Sequence, residues 1–282
     1  MREIRFIFVS LLITFFLSGC AVVEKKGLIG GKGKFPDSYE PPKDLTTDEL
    51  IKNIHKNNTQ IKSFKADMKL VFKNTVRDKG ALESSGKIAV ERPHKMRLRG
   101  YSFIGGTTFD IASDGKTFWV YIPQEAKVYT GSSRFPCQRD LPAIKIRPND
   151  ILESIFFNDL ITFAREKISF YEYIPGFYIL YIAEKSGDNY FIRKKVWVRD
   201  DTYEIIRHQT FDQKRAIVLD VLIHELYNFG KDGYFPKKLE IIRPASHLDL
   251  AMVFSSVNIG VEFNDTIFQF QIPKNTEEIN LD

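Results

Sequence analysis

Five histidines (His55, His94, His208, His224 and His247) are the first residues to weigh for metal or acid–base chemistry, and no two of them have ligand spacing. His224-Glu225 opens like the helix of a zinc protease. No second His follows at the required place, however, and the surrounding pattern is that of a strand. Asp110, Asp114 and Gly115 outline part of a calcium loop, but Ile111, Ala112 and Lys116 fill the other ligand positions, so a hairpin turn is the reading. Gly30-Gly31-Lys32-Gly33-Lys34 lacks both the preceding strand and the closing Gly-Lys-Ser/Thr of a phosphate loop. No Gly-x-Ser-x-Gly elbow and no paired carboxylates stand out. The expectation is a chain that is not an enzyme, with no catalytic residue, no metal site and no cofactor. What remains is sulfur chemistry, at Cys20 and Cys137.

The segment ahead of Cys20 decides which sulfur chemistry applies. Arg2 and Arg5 form a short positive start, and Phe6–Leu17 is apolar apart from Ser10 and Thr14. That run is too short for a permanent membrane helix and lies where a cleavable signal belongs. Leu17-Ser18-Gly19-Cys20-Ala21 resembles the lipobox of bacterial lipoproteins. The resemblance implies cleavage before Cys20, a diacylglyceryl thioether on its sulfur and, in most such bacteria, a third acyl chain on its amine. Two or more chains anchor a protein stably, where one holds it only marginally. Ala21, and not Asp, follows the Cys. By analogy with such lipoproteins, that implies the outer membrane, with the chain facing the periplasm. Cys137 is then left without a disulfide partner and reads as a small buried apolar residue.

Removing residues 1–19 lowers the formal net charge from +5 to +4 and leaves enough chain for one large β domain. The charge is too weak and too mixed to argue for nucleic acid. With 24 Phe and 12 Tyr against 2 Trp, the aromatic content suits either a thick core or an aromatic-lined cavity. Residues 20–44 form the lipidated Cys and its tether, rich in Gly, Lys and Pro. The tether reads as a solvated spacer, with lysines placed to meet anionic headgroups.

The elements that must position any site begin at Thr46-x-x-Glu49, a capping box that predicts a helix over Thr47–Asn58, with Leu50, Ile51, Ile54 and Ile61 near helical spacing. The period then changes to two. Phe64, Ala66, Met68, Leu70 and Phe72 share one face of a strand, opposite Lys65, Asp67, Lys69 and Lys73. Further strands are predicted at 87–91, 95–101, 107–112, 117–122, 127–130, 168–173, 177–183, 190–199, 204–211, 217–227, 237–243, 250–262 and 267–272. A second helix is predicted at Asn149–Phe157, after Pro148. No internal repeat and no second linker divides residues 45–282. Short strands joined by tight turns imply a mainly β fold: a strongly curved antiparallel sheet or incomplete barrel, its concave side covered by helices.

One loop carries an unusual pair. In Arg97–Ile111 two strands flank Ser102-Phe103-Ile104-Gly105-Gly106, and a Phe-Ile pair at a hairpin tip needs a reason, because turns are ordinarily polar. Either the loop folds back and buries both residues, or they form an exposed apolar finger. This stretch resembles, without gaps, the corresponding hairpin of the LolA/LolB family of lipoprotein-localisation proteins, most closely its LolB-type outer-membrane members. Arg97, Gly105 and Thr107 match, and Ile104 stands at the family's protruding Leu, while Phe103 replaces the usual loop Pro. Gly86-x-Ile88-x-Val90, Ser113–Lys116, the helix after Pro148 and Phe268-x-Phe270-x-Ile272-Pro273 add support.

The resemblance implies a half-barrel holding acyl chains among Phe64, Met68, Phe72, Leu98, Phe109 and Phe118, with Phe103 and Ile104 as a membrane-insertion loop. The partners it implies are membrane lipid through acylated Cys20, the acyl chains of lipoproteins and a periplasmic LolA-type carrier; the chain is expected to be a monomer. The function it implies is placement of lipoproteins in the outer membrane. The alternatives are a non-catalytic lipid- or lipoprotein-sensing module and an accessory subunit of an envelope assembly.

Overall fold

Thr46 starts the first helix, α1 (Thr47–Asn58), through reciprocal bonds. Its N–H donates to Glu49 Oε2 at 2.8 Å, and the Glu49 N–H donates to Thr46 Oγ1 at 3.2 Å. The structure, a computed structural model, describes residues 45–58, 61–74, 81–133, 141, 145–157 and 167–282. Leu50, Ile51 and Ile54 of α1 are buried, as the helical spacing predicts. Ile61 lies beyond the helix and joins a different part of the core.

Among the described residues the strands form one unclosed, curved sheet of 14. In chain order they are β1 (Ser63–Asn74), β2 (Leu82–Glu91), β3 (Lys95–Tyr101), β4 (Thr107–Asp114), β5 (Thr117–Ile122), β6 (Lys127–Ser132), β7 (Ile168–Ile174), β8 (Phe177–Ser186), β9 (Asn189–Arg199), β10 (Ile205–Phe211), β11 (Ile217–Asn228), β12 (Tyr234–Arg243), β13 (Leu248–Ile259) and β14 (Glu277–Asn280). β2, β3 and β5 alternate buried and more exposed residues because one face carries the core and the other is more open, whereas β4 buries five residues in a row. β1 pairs antiparallel with both β2 and β13, setting Met68 opposite Phe254 and Leu70 opposite Met252. The predicted strand at 87–91 therefore begins earlier, at Leu82, and the helix after Pro148 is α2 (Pro148–Phe156).

The order of strands reveals a repeat that the sequence does not. From one edge they run β14, β6 to β1, β13 to β8, and β7. Two meanders, β1–β6 and β8–β13, thus lie side by side with the same direction of progress, and a helix precedes each. The hydrophobic phase alone cannot show this, because period two is common to every strand.

The strand predicted at Ile267–Ile272 is absent. Asp265–Ile267 forms a single 3-10 turn, and the last strand is β14, which pairs parallel to β6. The carbonyls of Ile267 and Gln269 are taken by Arg97 Nη1 at 3.1 and 2.9 Å, and Pro273 offers no N–H. Phe268, which closes that 3-10 turn, is buried, and Phe270 lies 6.5 Å from Trp119 and 5.8 Å from Tyr121.

Candidate functional site

The β3–β4 hairpin ends in a turn closed by three bonds. Gly105 N–H donates to the Ser102 carbonyl at 3.1 Å, Ser102 N–H donates to the Gly106 carbonyl at 3.1 Å, and the Ser102 hydroxyl donates to the Gly105 carbonyl. Both glycines have φ +88°, a conformation that L side chains rarely adopt, so the turn depends on them. The central residues of that turn are Phe103 and Ile104, exposed to 104% and 95%. They form an apolar finger and do not fold back onto the sheet.

Behind the finger, the hairpin is fixed on both faces. On the outer face Asp110 receives Arg97 through two bonds, at 2.9 and 2.7 Å, and Arg99 Nε at 2.9 Å. On the core face Phe109 lies across Gly100, where an added Cβ would stand 2.3 Å from the ring. The β3–β4 register shifts between Gly100 and Tyr101, leaving Thr108 of β4 as the extra residue and bending β4 beside the tip. The bare backbone at Gly131 gives Phe118 the same room, with an added Cβ 2.9 Å away.

The six residues expected to line an acyl cavity come together. Phe64, Met68, Leu98, Phe109 and Phe118 belong to one buried apolar cluster, and the partly buried Phe72 packs against it. Phe64 meets the rings of Phe235, Phe156 and Phe254 at 4.7, 5.6 and 6.4 Å, and Phe72 meets Phe109 edge-on at 6.1 Å. Ile151, Leu152, Ile155 and Phe156 of α2 complete the cluster. A cavity of about 300 Å³ is lined by Arg199, Glu204, Ile223, His224 and Tyr234 among others, and by none of the six. Cys20 and Cys137 fall outside the described residues.

Polar contacts that the sequence did not disclose hold α2 over this cluster. Asp150 accepts from Arg243 Nη1 at 2.9 Å, and Glu153 pairs with Lys194. Burial raises the Asp150 carboxyl. At Glu153 burial opposes ionisation, but the Lys194 charge and hydrogen bonds from Lys194 and Thr210 outweigh it and hold the carboxyl below its usual range. His208, 1% exposed, lies 4.5 Å from the Phe157 ring, and neither of its nitrogens has a hydrogen-bond partner among the described residues. Burial pushes this imidazole down to about 3, so it is neutral at physiological pH. Its place on the core face follows from alternation, because Arg207 and Gln209 on either side both reach Asp220 on the outer face.

Neither a known family nor a curated protein matches the sequence. Solved structures do. A LolA superfamily protein from Nitrosomonas europaea superposes with a TM-score of 0.53 at 11% identity, over 80% of this chain and 99% of that one. A putative outer membrane lipoprotein-sorting protein domain from Vibrio parahaemolyticus gives 0.53 at 10% identity, over 77% and 95%. A DUF1329 family protein from Desulfovibrio piger gives 0.50 at 18% identity, over 78% and 94%. The chain has a LolA/LolB-like fold. Among the described residues no helix is long and apolar enough to cross a membrane.

Proposed function

We propose that the chain is an outer-membrane lipoprotein that takes up acyl chains between its curved sheet and α2 and helps place lipoproteins in the membrane. The observation that carries this reading is the finger: two large apolar side chains wholly exposed at the tip of a braced hairpin, on a LolA/LolB-like sheet. Residues 1–19 serve as the signal peptide, Cys20 carries the lipid, residues 20–44 are the tether and residues 45–282 are the working domain. The protein faces the periplasm, and a LolA-type carrier and its acylated cargo are its partners.

The chemistry is transfer without bond making. Moving an acyl chain from a bilayer to an apolar interior exchanges one oily medium for another, whereas exposure to water costs about 0.8 kcal/mol per CH₂. Phe64, Met68, Phe72, Leu98, Phe109 and Phe118 supply the sheet side of that interior. A ligand enters by displacing the apolar side of α2, whose ion pairs with Arg243 and Lys194 set where the helix returns. Phe103 and Ile104 supply contact with the bilayer, where burying one such side chain contributes about 1.5–3 kcal/mol.

Two results are expected. Metabolic labelling with radioactive fatty acid marks the wild type and leaves Cys20→Ala unlabelled; equal labelling of both removes the anchor. The Cys20→Ala chain binds a fluorescent fatty acid saturably, and Met68→Asp with Phe118→Asp abolishes most of the uptake. A folded chain with no uptake removes the carrier and acceptor readings together.

A further inference from the structure

The apolar interior ends in a polar corner beneath α2. Lys194 of β9 and Thr210 of β10 stand opposite each other in the ladder, and both are buried. One oxygen of Glu153, reaching down from α2, pairs with the Lys194 ammonium and accepts from Thr210 Oγ1 at 3.4 Å. His208 lies two residues along β10 from Thr210. It packs against Phe157, the residue that caps α2, and neither of its nitrogens has a hydrogen-bond partner among the described residues.

This corner adjoins the apolar side of the sheet. His208 stands opposite Val221, Val221 opposite Ile241, Ile241 opposite Leu250, and Leu250 opposite Phe72. The row runs from the imidazole to one of the six residues expected to meet an acyl chain. Every member after His208 belongs to the same apolar cluster or packs against it.

A buried ammonium is stable only where an anion meets it. Here that anion is Glu153, and it is carried by the helix that an entering ligand displaces. The carboxylate therefore leaves Lys194 and Thr210 in the same movement that admits the chain. The place it vacates is bordered by a cation, a hydroxyl and an imidazole, a donor set for an oxyanion. A plain hydrocarbon end replaces none of the lost bonds. An oxyanion replaces them like for like.

We propose that Lys194, Thr210 and His208 form a head-group site at the end of the acyl-binding interior, and that its ligand is an acyl chain ending in a carboxylate or phosphate. Glu153 is then the competitor that fills the site when no ligand is bound. The site presupposes acyl-chain uptake beneath α2 and is independent of lipoprotein delivery.

The test reads a ratio of affinities, so that changes in helix stability cancel. Pyrene-labelled hexadecanoic acid and the matching primary alcohol are titrated into the full-length Cys20→Ala chain at about pH 8, where a free carboxyl is ionised. The acid should bind about tenfold or more tighter than the alcohol, as a hydrogen-bonded charge requires. Glu153→Gln removes the competing carboxylate and should raise that preference by about threefold or more. Glu153→Gln combined with Lys194→Gln leaves a neutral pair and should bring the two probes within about twofold of each other. Hexadecyl phosphate in place of the acid separates the two sources of the oxyanion: preference for either anionic probe over the alcohol supports the site, and the preferred one identifies the head. Three results overturn the proposal. Uptake of all probes with equal affinity by the wild type removes the head-group site and leaves acyl uptake standing. A preference that the double variant retains places the selection elsewhere. Uptake of none of them removes the acyl-binding reading and the site with it.

Discussion

On acidification from pH 7 to pH 4.5, the wild-type chain should lose about 2.5 kcal/mol of stability that a His208→Leu variant does not lose. Burial pushes the native imidazole down to about 3, against 6.5 when unperturbed, and among the described residues neither of its nitrogens has a hydrogen-bond partner. A depressed histidine favours the native state only while it is neutral. Once pH falls below 6.5, the unfolded chain takes up a proton that the native chain refuses. Stability then declines by about 1.4 kcal/mol per pH unit until pH approaches 3. Full development of the effect amounts to about 5 kcal/mol, a large share of the 5–15 kcal/mol typical of a native protein. Asp249, whose carboxyl burial and Glu240 push up to about 6, acts with the opposite sign: its contribution grows as pH falls through that value. Comparing the two chains cancels this opposing effect. The measurement is a pair of thermal melts at each pH, in which the excess loss in wild type should reach about 5–10 °C at pH 4.5. Parallel curves for the two chains would show that His208 is solvated or paired.

That histidine also marks where sequence reading stops. Five scattered histidines gave no ligand pattern, and the local alternation that places His208 inward says nothing of α2, whose Glu153 comes close only after folding. The α1 start was legible because Thr46 and Glu49 satisfy each other within one turn. The finger was legible as an anomaly, since a Phe-Ile pair between strands and before two glycines has no turn chemistry of its own. Whether it folds inward depends on the tertiary path, which leaves both side chains in solvent. The segment 267–272 was misread because alternation reports that a segment has two unlike sides and not which group faces its backbone; here Arg97, from 170 residues away, takes the carbonyls that a ladder would need. The two-meander arrangement stayed hidden because its trace is a few positions, such as Arg97 with Asp110 and Arg207 with Asp220.

The second large effect concerns Ile104. It occupies a turn position with solvent around it and no core contact to lose, so Ile104→Glu should change stability by under about 0.5 kcal/mol. The same substitution replaces a side chain that enters hydrocarbon with one that resists it. The lost insertion energy of about 1.5–3 kcal/mol corresponds to a rate loss of about tenfold or more. Fatty-acid uptake should be unaffected, because the finger is remote in role from Met68, Phe109 and Phe118 in the interior. The decisive measurement is therefore transfer of an acylated lipoprotein from a soluble carrier to liposomes, made on wild type and Ile104→Glu side by side. The account predicts that the variant keeps its melting temperature and its uptake yet fails to deliver. Normal delivery by a folded Ile104→Glu chain would contradict it.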